Sequence, residues 1–156
     1  MEIKYFDHSA TTPVDKKVLE EMLPYFTTDF GNPSSLHTLG IAAEKYLKNA
    51  RKSLATSLGA SEDEVFFTSC GTEADNMAIM GAASARKHQG KKIITTAVEH
   101  PAILEPCKKL EQMGYKVEYI GVDNKCRLNM EQLKATIDED TILISIMGVN
   151  NETGTI

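Results

Sequence analysis

Cysteine is scarce in this sequence and poorly spaced for structural use. Cys70, Cys107 and Cys126 are three in number and far apart. No disulfide framework follows from them, and without a CxxC or Cys/His ligand pattern no zinc or other metal site does either. A reducing cytoplasm is the expected setting. An excess of one charge is also missing. With 17 basic and 22 acidic side chains the net charge is −5, which gives no electrostatic reason to expect nucleic acid or an anionic membrane as partner. The opening Met1-Glu2-Ile3-Lys4-Tyr5-Phe6-Asp7 holds no long apolar run and is expected to be neither signal peptide nor membrane anchor. No internal repeat, low-complexity tract or linker interrupts the 156 residues. What is present is ordinary for one soluble domain: 42% apolar and 25% charged residues, in a chain long enough to bury a core.

After an irregular start, residues 1–14, strand-like and helix-like segments alternate over residues 15–156. Ala43, Leu47, Ala50, Leu54 and Leu58 recur at three- and four-residue spacing before Gly59, which predicts a helix and its stop. Val65-Phe66-Phe67-Thr68 reads as a short buried strand. Ala74, Ala78, Gly81, Ala82 and Ala85 predict a helix whose small-residue face packs closely on a sheet. Lys92-Ile93-Ile94-Thr95-Thr96-Ala97 is a strand, and Pro101 suits the first turn of the next helix. That helix carries Ile103, Cys107, Leu110 and Met113 on one face and stops at Gly114. Lys116-Val117-Glu118-Tyr119-Ile120 is a third strand, and Asn129 with Gln132 resembles a capping box. Thr141-Ile142-Leu143-Ile144-Ser145-Ile146-Met147 is the most apolar strand, expected at the centre. The alternation predicts a layered, largely parallel α/β sheet with flanking helices, whose ligands gather at the carboxyl ends of the strands.

Three loops lie there. In Ser69-Cys70-Gly71-Thr72-Glu73, Gly71 lets a ligand approach the backbone, and the free amides of a helix start attract anions. Thr72 adds a hydroxyl. A phosphate fits, although no Gly-Lys-Ser/Thr follows as in a P-loop; the other reading is that Thr72 caps the helix. In Val98-Glu99-His100-Pro101-Ala102, His100 can stack on a flat ring or move protons near neutral pH, or it can cap a helix or face solvent. In Val149-Asn150-Asn151-Glu152-Thr153-Gly154, an Asn amide can bind a phenolate or carboxylate oxygen, or simply build a turn.

Taken in order, Asp7-His8-Ser9-Ala10-Thr11-Thr12-Pro13, Gly31-Asn32-Pro33-Ser34-Ser35-Leu36-His37, Thr68-Ser69-Cys70-Gly71-Thr72-Glu73-Ala74-Asp75-Asn76, Glu99-His100 and Val149 to Gly154 resemble the successive motifs of cysteine desulfurases of the NifS and IscS type. The resemblance runs through essentially the whole chain. It implies a class V aminotransferase-like fold, type I among pyridoxal 5'-phosphate enzymes, with residues 15–156 as an incomplete large domain, and a homodimer when complete. Members take sulfur from L-cysteine, release L-alanine and hold the sulfur as an enzyme persulfide for iron–sulfur scaffold or thiolation partners. Carried over by position, Gly71 and Thr72 bind the cofactor phosphate, His100 lies against the pyridine ring with a part in proton transfer, and Asn151 hydrogen-bonds the ring-hydroxyl side. Cys70 stands where the family often has a small residue, and Ala74 where Ser is common. Cys70 reads as a small buried thiol at a tight turn rather than a nucleophile. Cys107 belongs to an apolar helix face, and nothing near Cys126 activates it.

In that family the carboxylate partner of the pyridine nitrogen, the Schiff-base lysine and the persulfide cysteine come later in the chain. No lysine here lies in the family's Ser-Gly-His-Lys context. The expectation is a chain inactive alone, with exposed sheet edges, and poorly stable or self-associating. Half of a split enzyme, a non-catalytic binding or dimerisation module, and another class V enzyme such as a selenocysteine lyase are the other readings.

Overall fold

The computed structural model of the protein describes residues 3–156. Residues 3–15 contain a turn but no helix or strand. The chain divides into two compact units, Met1–Phe67 and Thr68–Ile156.

The first unit is built on α1 (Lys16–Thr27) and α2 (Thr38–Leu58). The Asp15 carboxylate opens α1 by accepting the Lys17 amide at 2.8 Å, satisfying one of the donors that a helix start leaves free. The stretch from Gly31 to His37 then turns tightly, with the Asn32 side chain accepting the Ser34 amide and its carbonyl the Ser35 amide, each at 2.9 Å. The turn packs backbone against backbone. A Cβ on Gly31 would lie 2.1 Å from the Leu39 carbonyl oxygen, and one on Gly40 2.2 Å from that of Ser35.

The predicted stop holds, since Gly59 ends α2 in the left-handed region at φ 65°, where a side chain is strained. The recurring apolar residues of the helix do not form a buried face. Leu47, Leu54 and Leu58 are exposed, and Gly40 and Ala55 are the buried residues of α2. Nor is Val65-Phe66-Phe67-Thr68 a strand. The Arg51 guanidinium donates to the Val65 carbonyl and stands 4.8 Å from the Phe67 ring centroid. No strand among the described residues pairs with this stretch, and aromatic, β-branched character makes a strand only against a partner.

In the second unit three parallel strands, β1 (Lys92–Thr96), β2 (Lys116–Ile120) and β3 (Thr141–Ile144), lie in the order β2-β1-β3. Ile93 pairs with Val117 on one side and Leu143 on the other. The most apolar strand is therefore an edge of this sheet, correcting the central place expected for it. Every residue of β1 is buried although it carries a lysine and two threonines. The polar groups at its ends are paired: Lys92 with Asp138, and Thr96 with Glu99. Paired polar groups are tolerated in a core, so apolarity alone misjudges which strand is innermost.

Two helices, α3 (Gly71–Arg86) and α4 (Pro101–Gln112), cover one face of the sheet. Ile79 and Ala83 of α3, Cys107 and Leu110 of α4, and Ile93 and Ile142 of the sheet form the main core. The small-residue face expected of α3 points elsewhere: Ala74, Ala78, Gly81 and Ala85 are exposed, and a Cβ on Gly81 would touch nothing within 4 Å. Pro101 opens α4 as predicted, and Gly114 follows it with φ 87°. Of the apolar face predicted for α4, Cys107 and Leu110 are buried, whereas Met113 is 55% exposed.

A short helix, α5 (Met130–Thr136), sits on the other face, where Leu133 meets Ile94 and Ile120. Its opening is half of the expected capping box. Asn129 accepts the Gln132 amide at 3.0 Å, but the Gln132 side chain accepts the Gly121 amide at 2.9 Å instead of returning to Asn129. The chain thus steps from β1 out to β2 and back across to β3. The order reverses between β1 and β3, the kind of crevice where open α/β sheets bind ligands.

Candidate functional site

The exits of β1 and β3 and the start of α3 meet in this crevice. A cavity of about 300 Å³ is lined by Asp75 of α3, by Glu99, His100 and Ile103 at the start of α4, and by Ser145, Ile146 and Met147 after β3. Asn76 fixes α3 to α4 by donating to the Ala102 carbonyl at 3.3 Å.

Cys70 is the N-cap of α3, with Gly71 and Thr72 as the first two helical residues, both exposed. Cys70, not Thr72, thus holds the N-cap position, and its side chain makes no capping hydrogen bond. A Cβ on Gly71 would meet nothing within 4 Å, so the space beside it is open to a ligand. Glu73 turns back and accepts from the Ser69 amide and hydroxyl at 2.6 and 2.7 Å. Cys70 is exposed, which corrects the expectation of a buried thiol: as N-cap it lies outside the helix rather than under it. The Glu73 amide, then the Ser69 hydroxyl and the Thr72 amide, hold its thiol below the usual range. Those donors favour the thiolate, as is usual where a helix begins, against the opposing charge of the Glu73 carboxylate.

His100 is the N-cap of α4, and its Nδ1 accepts the Ala102 amide at 3.1 Å. An accepting Nδ1 makes the neutral ring the Nε2–H tautomer. The capping alternative is what this geometry displays, and it leaves the exposed ring and its Nε2 free to meet a ligand. Asn151 is exposed, and its amide donates to the Glu152 carboxylate at 3.2 Å; it does not line the cavity that contains His100.

Two residues without an assigned role in the sequence organise the loops. Glu99, 7% exposed, accepts from the Thr96 hydroxyl at 3.0 Å and the Met147 amide at 2.7 Å. Asn150, also buried, accepts from the Glu152 and Thr153 amides, each at 3.0 Å, and donates to the Val98 carbonyl at 3.3 Å. Burial of a polar side chain is the signal for both, and it depends on partners about fifty residues away in the chain.

An anionic group bound through the start of α3, with a flat portion beside His100, fits these residues. Gly71 leaves open space, Thr72 presents a hydroxyl, and the amides around Cys70 already favour a negative charge.

Known proteins show the same arrangement of sequence and fold. The model of the aminotransferase class-V family matches residues 4–156. A putative cysteine desulfurase IscS 1 of Bacillus subtilis (strain 168) is 50% identical over 156 residues, which is 100% of this chain and 41% of that protein. A cysteine desulfurase IscS of Methanosarcina thermophila is 51% identical over 152 residues, 97% of this chain and 38% of that one. Among solved structures, a NifS-like protein superposes with a TM-score of 0.90 at 45% identity, over 95% of this chain and 41% of its own. A structure described as SspA in complex with cysteine gives 0.84 at 40% identity, over 96% and 43%. The chain therefore spans about two fifths of the length of the relatives it matches.

Proposed function

The chain belongs to the aminotransferase class-V family, and from that premise we propose that it is the amino-terminal, phosphate-cradling part of a pyridoxal-phosphate-dependent cysteine desulfurase. The observation that carries the reading is the cluster at the sheet crevice: an open, anion-favouring start of α3 sharing its helix with Asp75, which lines the same cavity as His100. Relatives named as cysteine desulfurases, at 50% and 51% identity, and a neighbour described in complex with cysteine support the substrate.

Pyridoxal phosphate, when bound, supplies an electron sink for chemistry at an amino acid's carbons. The chain's own part is to bind and orient. The amides of Gly71 and Thr72 and the Thr72 hydroxyl hold the phosphate. His100 would lie against the pyridine ring with a part in proton transfer; with Nδ1 engaged by the Ala102 amide, Nε2–H is the hydrogen-bond donor it presents. Asn151 would donate its side-chain amide to the ring-hydroxyl side, a role given by its place in the motif alone, since it does not line the cavity that contains His100. By the resemblance, the lysine and cysteine of the covalent steps and the carboxylate for the pyridine nitrogen lie outside these residues, of which 15–156 form an incomplete large domain.

In the complete protein this machinery takes sulfur from L-cysteine, releases L-alanine, and passes the sulfur as a persulfide to acceptors such as an iron–sulfur scaffold. It works as a homodimer in the cytoplasm. Among the described residues no helix is long and apolar enough to cross a membrane. The test is the product formed from L-cysteine by the protein purified from its source. Alanine with protein-bound sulfur supports the reading; pyruvate and ammonia identify a different class V chemistry and refute it.

A further inference from the structure

We propose that Glu99 is a positioning residue, which sets His100 at the candidate site by tying the exit of β1 to the exit of β3. The inference rests on the reading of His100 as a cofactor-facing residue. A buried carboxylate is retained only where hydrogen bonds satisfy it, and both bonds to Glu99 fall on one oxygen. The Thr96 hydroxyl, 3.0 Å away, shapes the turn locally; the Met147 amide, 2.7 Å away, belongs to the other strand's exit and closes the crevice. At 2.7 Å the bond from Met147 is short for an N–H to oxygen pair. The other tie between these loops, from the Asn150 side chain to the Val98 carbonyl, is 3.3 Å long, and the weaker for it.

His100 follows Glu99 directly. Its ring is fixed at Nδ1 by Ala102, but where that ring stands depends on the path of residues 98–100. Glu99 anchors this path to Met147, which with His100 lines the same cavity. The Glu99 carboxylate hydrogen-bonds neither the start of α3 nor Asn151; its action on the site runs through His100 and the loop after β3.

The test uses NMR on the protein without added cofactor and compares Glu99→Ala, Glu99→Gln and Glu99→Asp. One readout is hydrogen exchange at the Met147 amide; the other is the ring nitrogen shifts of His100, which report its tautomer. In Glu99→Ala, Met147 is expected to exchange roughly tenfold faster or more, and the His100 ring to drift from Nε2–H toward a mixture of tautomers. Glu99→Gln, which keeps an acceptor oxygen in place, is expected to restore both. Exchange at Ile94 and Thr95 of the central strand is expected to stay as in the wild type, separating local release from unfolding.

Should Glu99→Ala fail to fold, Glu99→Asp decides. Its carboxylate is withdrawn by one methylene, and it is expected to move both readouts part of the way. Wild-type Met147 exchange and His100 shifts in the variant that folds would overturn the proposal, as would faster exchange with His100 unmoved. Neither readout needs pyridoxal phosphate, so a protein that never binds it refutes the functional reading and leaves this result to stand or fall alone.

Discussion

The carboxylate of Glu99 accepts the backbone amide of Met147 at 2.7 Å across the crevice between β1 and β3. Asn150 adds a second tie in the opposite direction, from the loop after β3 to the Val98 carbonyl. Together they make two loops, distant in sequence, behave as one rim.

The Asn150 side chain accepts from Glu152 and Thr153 while it donates to Val98. Asn150→Ala removes the hydrogen bonds of a buried side chain whose partners can turn to water, and is expected to cost about 1 kcal/mol of stability. Asn150→Asp, which keeps the acceptor and loses the donor, is expected to cost less. Urea denaturation of the two variants measures the difference, and the opposite ranking would contradict the assigned roles.

Two glycines in helices should respond with opposite signs. A methyl on Gly40 would meet the Ser35 carbonyl oxygen at 2.2 Å, so Gly40→Ala is expected to destabilise by about 1–3 kcal/mol through overpacking. Gly81 has open space around it, and Gly81→Ala is expected to stabilise by about 1 kcal/mol through helix propensity. Thermal melts of both variants check the pair.

Lys92 donates to the Asp138 carboxylate from a nearly buried position. That bond is the first cause holding the Asp138 carboxyl below its usual range. A depressed folded pKa adds stability that is fully present above the ordinary aspartate value, about 3.9. It is lost as pH falls from there through the depressed value. Asp138→Asn is expected to flatten this part of the acid-unfolding profile. An unchanged slope in the variant would show that the pair contributes nothing.

The thiols should separate by reactivity. Cys70 is exposed, with its thiol held down by neighbouring amides, whereas burial pushes Cys107 up to about 11. Alkylation by iodoacetamide followed by peptide mass mapping is expected to mark Cys70 well before Cys107, because the thiolate is the reactive form. Added pyridoxal phosphate is expected to slow labelling of Cys70 alone. Equal labelling with and without it would place the phosphate elsewhere.

Signals carried by single residues are legible in the amino-acid sequence. Gly59 and Gly114 adopt the positive φ that ends a helix, Pro101 opens α4, and the strands at 92 and 116 stand where their β-branched runs lie. Features that depend on distant partners are not. The order β2-β1-β3 reflects pairing across the sheet, and the burial of Lys92 depends on Asp138, 46 residues on. The exposed small-residue face of α3 shows the same limit, since alanines and a glycine at helical spacing do not say which side meets the core. At the site, loop chemistry singles out His100 and the start of α3 as candidates and only the family resemblance gives them roles, while Glu99 and Asn150 act through bonds spanning 48 and 52 residues.

Native mass spectrometry of the protein purified from its natural source tests the central claim most directly, because one spectrum reports both chain mass and bound cofactor. The account predicts an assembly in which these residues are joined, in one chain or with a second, to those that complete the site, and which carries pyridoxal phosphate. A lone species of 17.2 kDa with no bound cofactor would contradict it.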